Sequence, residues 1–238
     1  MPLGDSITSG KYSGHDTSDT TEGALDDIGY RKDLWDSLTA DGFSVDFVGT
    51  QSNGATYPFS DPEHEGHNGW RDDEIADNIY DDGGENWLSQ NPPDVIALHI
   101  GTNDLDTDPS DVERILDEID EYEADYGRRV IVILARIINM VGGNSVVTQF
   151  NDNVEAMVTA RSEYGLDLFL VDMEDGAGIN YSIHPGDPNG DMFNDLHPYA
   201  TGYTKMAAVW KAAFDDLCHE VYLPLVVKTY AAKLYLWE

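Results

Sequence analysis

Short apolar runs alternate along this chain with longer stretches in which apolar residues recur every third or fourth position, the pattern of an α/β sheet. The runs 95–100 (VIALHI), 130–137 (VIVILARI) and 168–172 (LFLVD) are nearly unbroken in apolar character. Parallel strands covered on both faces read this way. The run 44–49, SVDFVG, reads as a further strand. Between these lie helices. Residues 30–41 carry Leu34, Trp35 and Leu38 on one side. Residues 109–126 open with Asp108 as a cap and Pro109 at the first helical position. Val112, Ile115, Leu116, Ile119 and Tyr122 then form a single apolar face. Residues 72–80, 146–164 and 201–218 complete the helical set. The expected fold is a three-layer αβα sandwich around a central parallel sheet.

Two connections, 50–68 and 173–196, are longer than a compact αβ unit needs, and long loops at strand C-termini are where function concentrates. Residues 1–220 read as one domain. The tail, 221–238 (VYLPLVVKTYAAKLYLWE), departs from the rest in holding one acid, two lysines and many apolar residues. An added strand, a linker to a further domain, or residues foreign to the domain all fit it, and it offers a route to a homo-oligomer. Pro224 argues against a central strand.

Charge narrows the functional classes. The chain of 238 residues has 46 acidic against 13 basic side chains, a net charge of −33. Phosphate backbones and anionic lipid heads are repelled by such a field, which argues against nucleic-acid and membrane-surface partners. A protein of a salty habitat, with its self-repulsion screened by ions, fits the balance better than a merely solubilising surface. No run approaches the ~20 apolar residues of a membrane helix, and no signal peptide opens the chain. The single cysteine, Cys218, allows no internal disulfide and reads as a packed helical residue beside Phe214 and Leu217.

Four segments carry candidate chemistry. Gly4-Asp5-Ser6, after a short apolar run, places a hydroxyl where a strand turns into a loop. Alone it is a common turn tripeptide. In EGHNGW (65–70), Gly69 precedes a helical stretch and can offer an unobstructed backbone N–H to an anion. In GTND (101–104), directly after a strand, the Asn103 amide can donate to an oxyanion where an ionised Asp could not. In DMFNDLHPYATGYTKMA (191–207), Asp195 and His197 stand two apart, so the carboxylate can reach Nδ1 and leave Nε2 free to take a proton from Ser6.

Taken together, Ser near the start, Gly in the second loop, Asn after the third strand and D-x-H before the last helix resemble the GDSL, or SGNH, hydrolase family. The resemblance extends through GYRKDLWDSLTADGFSVDFVGTQ (29–51), and EGHNGWR and GDMFNDLHP look most like its acetylxylan-esterase-like, carbohydrate-associated branch. It implies a flavodoxin-like fold with Ser6 as nucleophile, His197 as base and Asp195 completing a triad. The Ser6 and Gly69 backbone N–H groups and the Asn103 side chain would form the oxyanion hole. Asp5, Trp70 and Tyr199 would contact substrate, a small ester or acetylated carbohydrate, with no cofactor and no metal. The family resemblance also favours a secreted location. One departure stands out: the family's first strand has several more residues before GDS, where this chain has only Met1–Leu3. Either the true start lies upstream or another segment, such as the apolar tail, fills the gap.

Other combinations fit less well. His64, Glu65 and His67 suggest a metal site, as do Asp187, Asn189 and Asp191, the latter a calcium-loop fragment without its terminal Glu; polar loop content is the better reading of both. Trp70, Tyr57, Phe59 and Tyr199 can stack on sugar rings or simply pack. A lysophospholipase or thioesterase would need an apolar groove that the Asn- and Asp-rich loops do not advertise. A non-catalytic carbohydrate-binding domain on the same scaffold, or a metal-dependent phosphodiesterase using Asp5, Asn103 and His197, are the more distant alternatives.

Overall fold

A computed structural model describes residues 1–12, 27–54, 59–81, 83–103, 105–162, 167–184 and 186–234, with the backbone alone for residue 162 and from 218 onward. Five parallel strands form the sheet: β1 (Pro2–Gly4), β3 (Glu63–Gly66), β4 (Val95–His99), β5 (Ile131–Arg136) and β6 (Leu168–Asp172). A two-residue antiparallel strand, β2 (Gln51–Ser52), extends one edge, giving the order β2-β3-β1-β4-β5-β6. The expected three-layer architecture is what forms. Helices α2 (Arg31–Ala40) and α7 (Ala200–Leu234) pack on one face. The other face carries α3 (Asp72–Ile79), α4 (Trp87–Gln90), α5 (Ser110–Tyr126) and α6 (Ser145–Ser162). A short α1 (Ser6–Ser9) follows β1.

The apolar strands divide their side chains by period two. Ile96, Leu98, Val132 and Leu134 enter the core under α3–α6, while Ala97, Ile133 and Ala135 enter the one under α2 and α7. Burial on both faces explains why these strands were legible as unbroken apolar runs.

The exceptions lie where polar groups replace that signal. The 44–49 run forms no ladder. Its Phe47 N–H donates instead to the Asp61 carboxylate at 2.7 Å, and the next residue, Thr50, gives its N–H to Glu65. The strand on that side of the sheet is EHEG, β3, which falls inside the expected loop 50–68. Its His64 and Glu65 are fully buried yet polar, so no apolar alternation marks it.

β1 is short, and it pairs on both sides, with β3 through Leu3 and Gly4 and with β4 through all three residues. Both flanks of β1 are thus paired, by β3 and β4. As far as Leu234 the tail continues α7 as helix rather than adding a strand, a conformation that makes its backbone hydrogen bonds locally. The Cys218 side chain and those of the tail lie outside the described residues, as does Tyr57. No helix among the described residues is long and apolar enough to cross a membrane.

The chain visits β1, β2 and β3 on one side and then crosses to β4 on the other. Such a reversal leaves a crevice outside the strand C-termini where ligands bind in open α/β sheets. The four candidate segments all follow from this edge.

Candidate active site

Gly4 ends β1 against β4, where a Cβ would lie 2.0 Å from the His99 carbonyl oxygen, so only glycine fits. Asp5 then caps α1: extended at φ −98°, it accepts the Ile7 N–H on its carboxylate at 2.9 Å. Burial pushes the Asp5 carboxyl up to about 6. A fully buried cap does not reach substrate, which corrects the expectation for Asp5 as a contact residue. Ser6 follows as the first residue of α1, 6% exposed.

The far end of α1 is held by Arg31, a fully buried arginine. Its guanidinium donates to four backbone carbonyls: Thr8 at 3.1 Å, Ser9 at 3.1 Å, Asp27 at 2.9 Å and Pro62 at 2.8 Å. Burial lowers its pKa to about 10, so it keeps its charge near neutrality. Nothing in the sequence pattern singled this residue out, because GYRKD reads as the start of an ordinary surface helix.

His197 reaches Ser6 from the long connection between β6 and α7, with Ser6 Oγ and His197 Nε2 2.8 Å apart. Asp195 does not take the other ring nitrogen. Its side chain is exposed, and its backbone carbonyl accepts the Val141 N–H at 3.1 Å. His197 Nδ1 lies instead 3.1 Å from Oδ1 of Asn194. The reason is a tight turn: the same Oδ1 accepts the backbone N–H groups of Leu196 and His197, at 3.0 and 2.8 Å. An Asx-type turn brings the residue three before the histidine under its ring, and sends the residue between them outward. The Asn-Asp pair is itself a turn signal, and reading it as one would have pointed to Asn194. Burial, followed by the positive charge of Lys11, lowers the His197 pKa to about 4.

Gly69 and Asn103 come together on the other side. The His67 N–H donates to Gly4 O, carrying the β3–β1 ladder one residue past the strand. Trp70 N–H then closes a turn onto His67 O, with Gly69 at φ +81°. A positive φ at the third turn residue is what a type II turn demands of glycine. Asn103, beyond the end of β4, donates from Nδ2 to Trp70 O at 2.7 Å, tying the two loops. His67 lies between the rings of Trp70 and Trp87, with centroids 4.4 and 4.5 Å away, and its Nε2 meets the buried Glu65 at 2.6 Å. This pair holds the loop that carries Gly69, another contribution the sequence pattern did not mark.

Aromatic rings line the histidine side. Tyr12, held at φ +64°, stacks on Phe193 at 4.6 Å and meets the His197 ring edge-on at 5.1 Å. A non-glycine residue in this region is strained, and such strain collects at functional sites. Tyr199 stacks on His184 at 4.3 Å, while Trp70 gives one face to His67. Phe59 is a packing residue, buried against Trp35 and Phe47. The residues that suggested metals make protein hydrogen bonds: His64 Nδ1 accepts the Gly66 N–H, and Asp191 takes Thr201, Asn180 and Lys205.

Known proteins share this fold. The model of the GDSL-like lipase/acylhydrolase family matches residues 1–210. Among solved structures, a family 3 carbohydrate esterase of Clostridium thermocellum superposes with a TM-score of 0.70 at 28% identity, covering 93% of this chain and 96% of that one. A family 3 carbohydrate esterase of Talaromyces cellulolyticus has the same fold, with a TM-score of 0.67 at 24% identity over 92% of this chain and 97% of that one. A multidomain esterase of Ruminococcus flavefaciens is 27% identical over 236 residues, 88% of this chain, but the match spans only 27% of that relative's length. By the extent of the family match and the shared fold, the chain belongs to the GDSL-like lipase/acylhydrolase family of carboxylic ester hydrolases.

Proposed function

We propose that this chain hydrolyses short-chain acyl esters, acetyl esters on carbohydrate foremost, through an acyl-enzyme on Ser6. The observation that carries the reading is the 2.8 Å approach of Ser6 Oγ to His197 Nε2 at the C-terminal edge of the sheet. Ser6 Oγ attacks the ester carbonyl while Nε2 takes its proton, and the carbonyl oxygen becomes an oxyanion. Collapse of that intermediate expels the alcohol, which receives the proton back from the imidazolium. Water, deprotonated by the same nitrogen, then releases the acid and restores Ser6.

The oxyanion would be met by the backbone N–H groups of Ser6 and Gly69 and by the Asn103 amide. Nδ2 of Asn103 carries two hydrogens, of which Trp70 O accepts one and the other is left for the substrate. Asn103→Ala is expected to lower kcat by about 10²–10³-fold with the fold retained, since removing one such donor has that effect elsewhere. Steady-state kinetics beside circular dichroism checks both halves of the statement.

Among the described residues, two apolar grooves, of about 530 and 580 Å³, lie among Met1, Leu38, Phe43 and Pro93 and between β6 and α7, and neither is lined by Ser6 or His197. The carbohydrate preference is supported by the 28% identity to the Clostridium esterase and by the aromatic rings beside His197. Hydrolysis of p-nitrophenyl acetate, butyrate and octanoate, beside release of acetate from acetylated xylan, tests the reading. Rates should fall with chain length; an octanoate rate above the acetate rate would favour a lipid esterase instead.

A further inference from the structure

We propose that Asn194, a neutral amide, positions His197 for proton transfer in this chain, the task that Asp195 was expected to perform. This rests on the reading of His197 as the base and adds what orients it. Oδ1 of Asn194 receives two backbone N–H groups, from Leu196 and His197. Those donors require an acceptor, so the oxygen end of the amide, and not its NH₂, faces them. The same oxygen lies 3.1 Å from His197 Nδ1, which must then carry the ring hydrogen. The lone pair is left on Nε2, facing Ser6 Oγ, the tautomer a general base needs.

The turn that holds the amide is closed on itself. Phe193 N–H donates to His197 O at 2.8 Å, and Phe193 packs its ring on Tyr12, which meets the histidine edge-on. The ring is therefore fixed from both sides, with no carboxylate of the described residues hydrogen-bonded to it. The charged group of the described structure that bears on the ring is Lys11, whose ammonium opposes protonation, while Tyr12 makes the edge-on ring contact. Asp195 is turned to solvent, where water screens it.

A neutral partner orients the imidazole but contributes little to stabilising its positive form. The base therefore stays unprotonated into acid solution, in line with the value of about 4 that burial and Lys11 produce. An adjacent carboxylate favours the charged form by about 1–3 pH units. Asn194→Asp would thus place a charge where the turn already holds an oxygen.

The test is the ring titration of His197, followed by ¹⁵N NMR of the full chain, together with the pH profile of kcat/KM on p-nitrophenyl acetate. The native ring should titrate near 4, and kcat/KM should rise through the same value because only the neutral ring acts as base. Asn194→Asp should move both midpoints upward by about 1–2 units, and Asp195→Asn should leave the ring titration in place. Asn194→Leu should lower kcat by about 10²–10⁴-fold with KM little changed, as mis-set tautomers do. A titration that follows Asp195 and ignores Asn194 would overturn the proposal, even in an active esterase. The ring is read without turnover, so a chain that cleaves no ester while its titration follows Asn194 would overturn the functional reading and uphold this one.

Discussion

Replacing Ser6 by alanine is expected to lower kcat on p-nitrophenyl acetate by about 10⁶-fold, close to the level that an intact oxyanion hole and substrate binding sustain alone. The size follows from the geometry. Ser6 Oγ has one base within reach, and without the hydroxyl no other described side chain is hydrogen-bonded to Nε2 of His197. His197→Ala should cost about as much, and the double substitution little more than either, because nucleophile and base act as one unit. KM should change far less than kcat, since the methyl group removes no contact that the ground state depends on. A sulfonyl fluoride should label the native chain at Ser6 and leave the alanine form unlabelled. Undiminished hydrolysis by Ser6→Ala would end the serine mechanism and return the rival readings, a binding domain or a metal-dependent phosphodiesterase, to contention.

The second large effect concerns stability. Arg31→Met should destabilise the fold by about 3–5 kcal/mol, read from urea unfolding, because hydrogen bonds to a charged group are worth about 1.5–3 kcal/mol each and orphaned buried carbonyls add their own cost. Four carbonyls, those of Thr8, Ser9, Asp27 and Pro62, lose their donor at once. At about 2–4 °C per kcal/mol for a domain of this size, the melting temperature should fall by roughly 10 °C. Arg31→Lys should recover little of it, since one ammonium cannot span the positions that the planar fork reaches. Activity should drop with stability, because Thr8 and Ser9 lie on the helical turn that begins at Ser6. A loss below about 1 kcal/mol would show that water or relaxed backbone satisfies these carbonyls instead.

The elements that the chain announced plainly are those whose environment is uniform. Residues 168–172 are found as a strand with the expected bounds, and α5 is found one residue from its expected start. In both, burial of one kind of surface repeats at a fixed period, and periodicity is what sequence reading detects. β3 escaped because the side chains it buries are those of His64 and Glu65, whose partners are the Gly66 N–H, Thr50 and His67. Polar residues buried by specific hydrogen bonds have no period. Asp195 and Asn194 differ in the same way. Spacing along the chain allowed the carboxylate to reach the histidine, but the direction of a side chain leaving a turn is set by backbone angles that spacing does not contain.

Ser6, His197, Gly69 and Asn103 could be picked out as candidates from the chain alone, since each sits at a fixed place relative to an apolar strand or a helix start, and the order of such segments is written linearly. The α/β class followed from the same periodicity. Folding decided what links them. It placed β3 and β4 on either side of β1, set Asn103 against Trp70 O, ran Arg31 beneath α1, and turned Asn194 rather than Asp195 under His197. These are contacts between residues far apart in the chain, or orientations within one turn. Their energies depend on distance and angle in space, which a one-dimensional pattern of residue types does not carry.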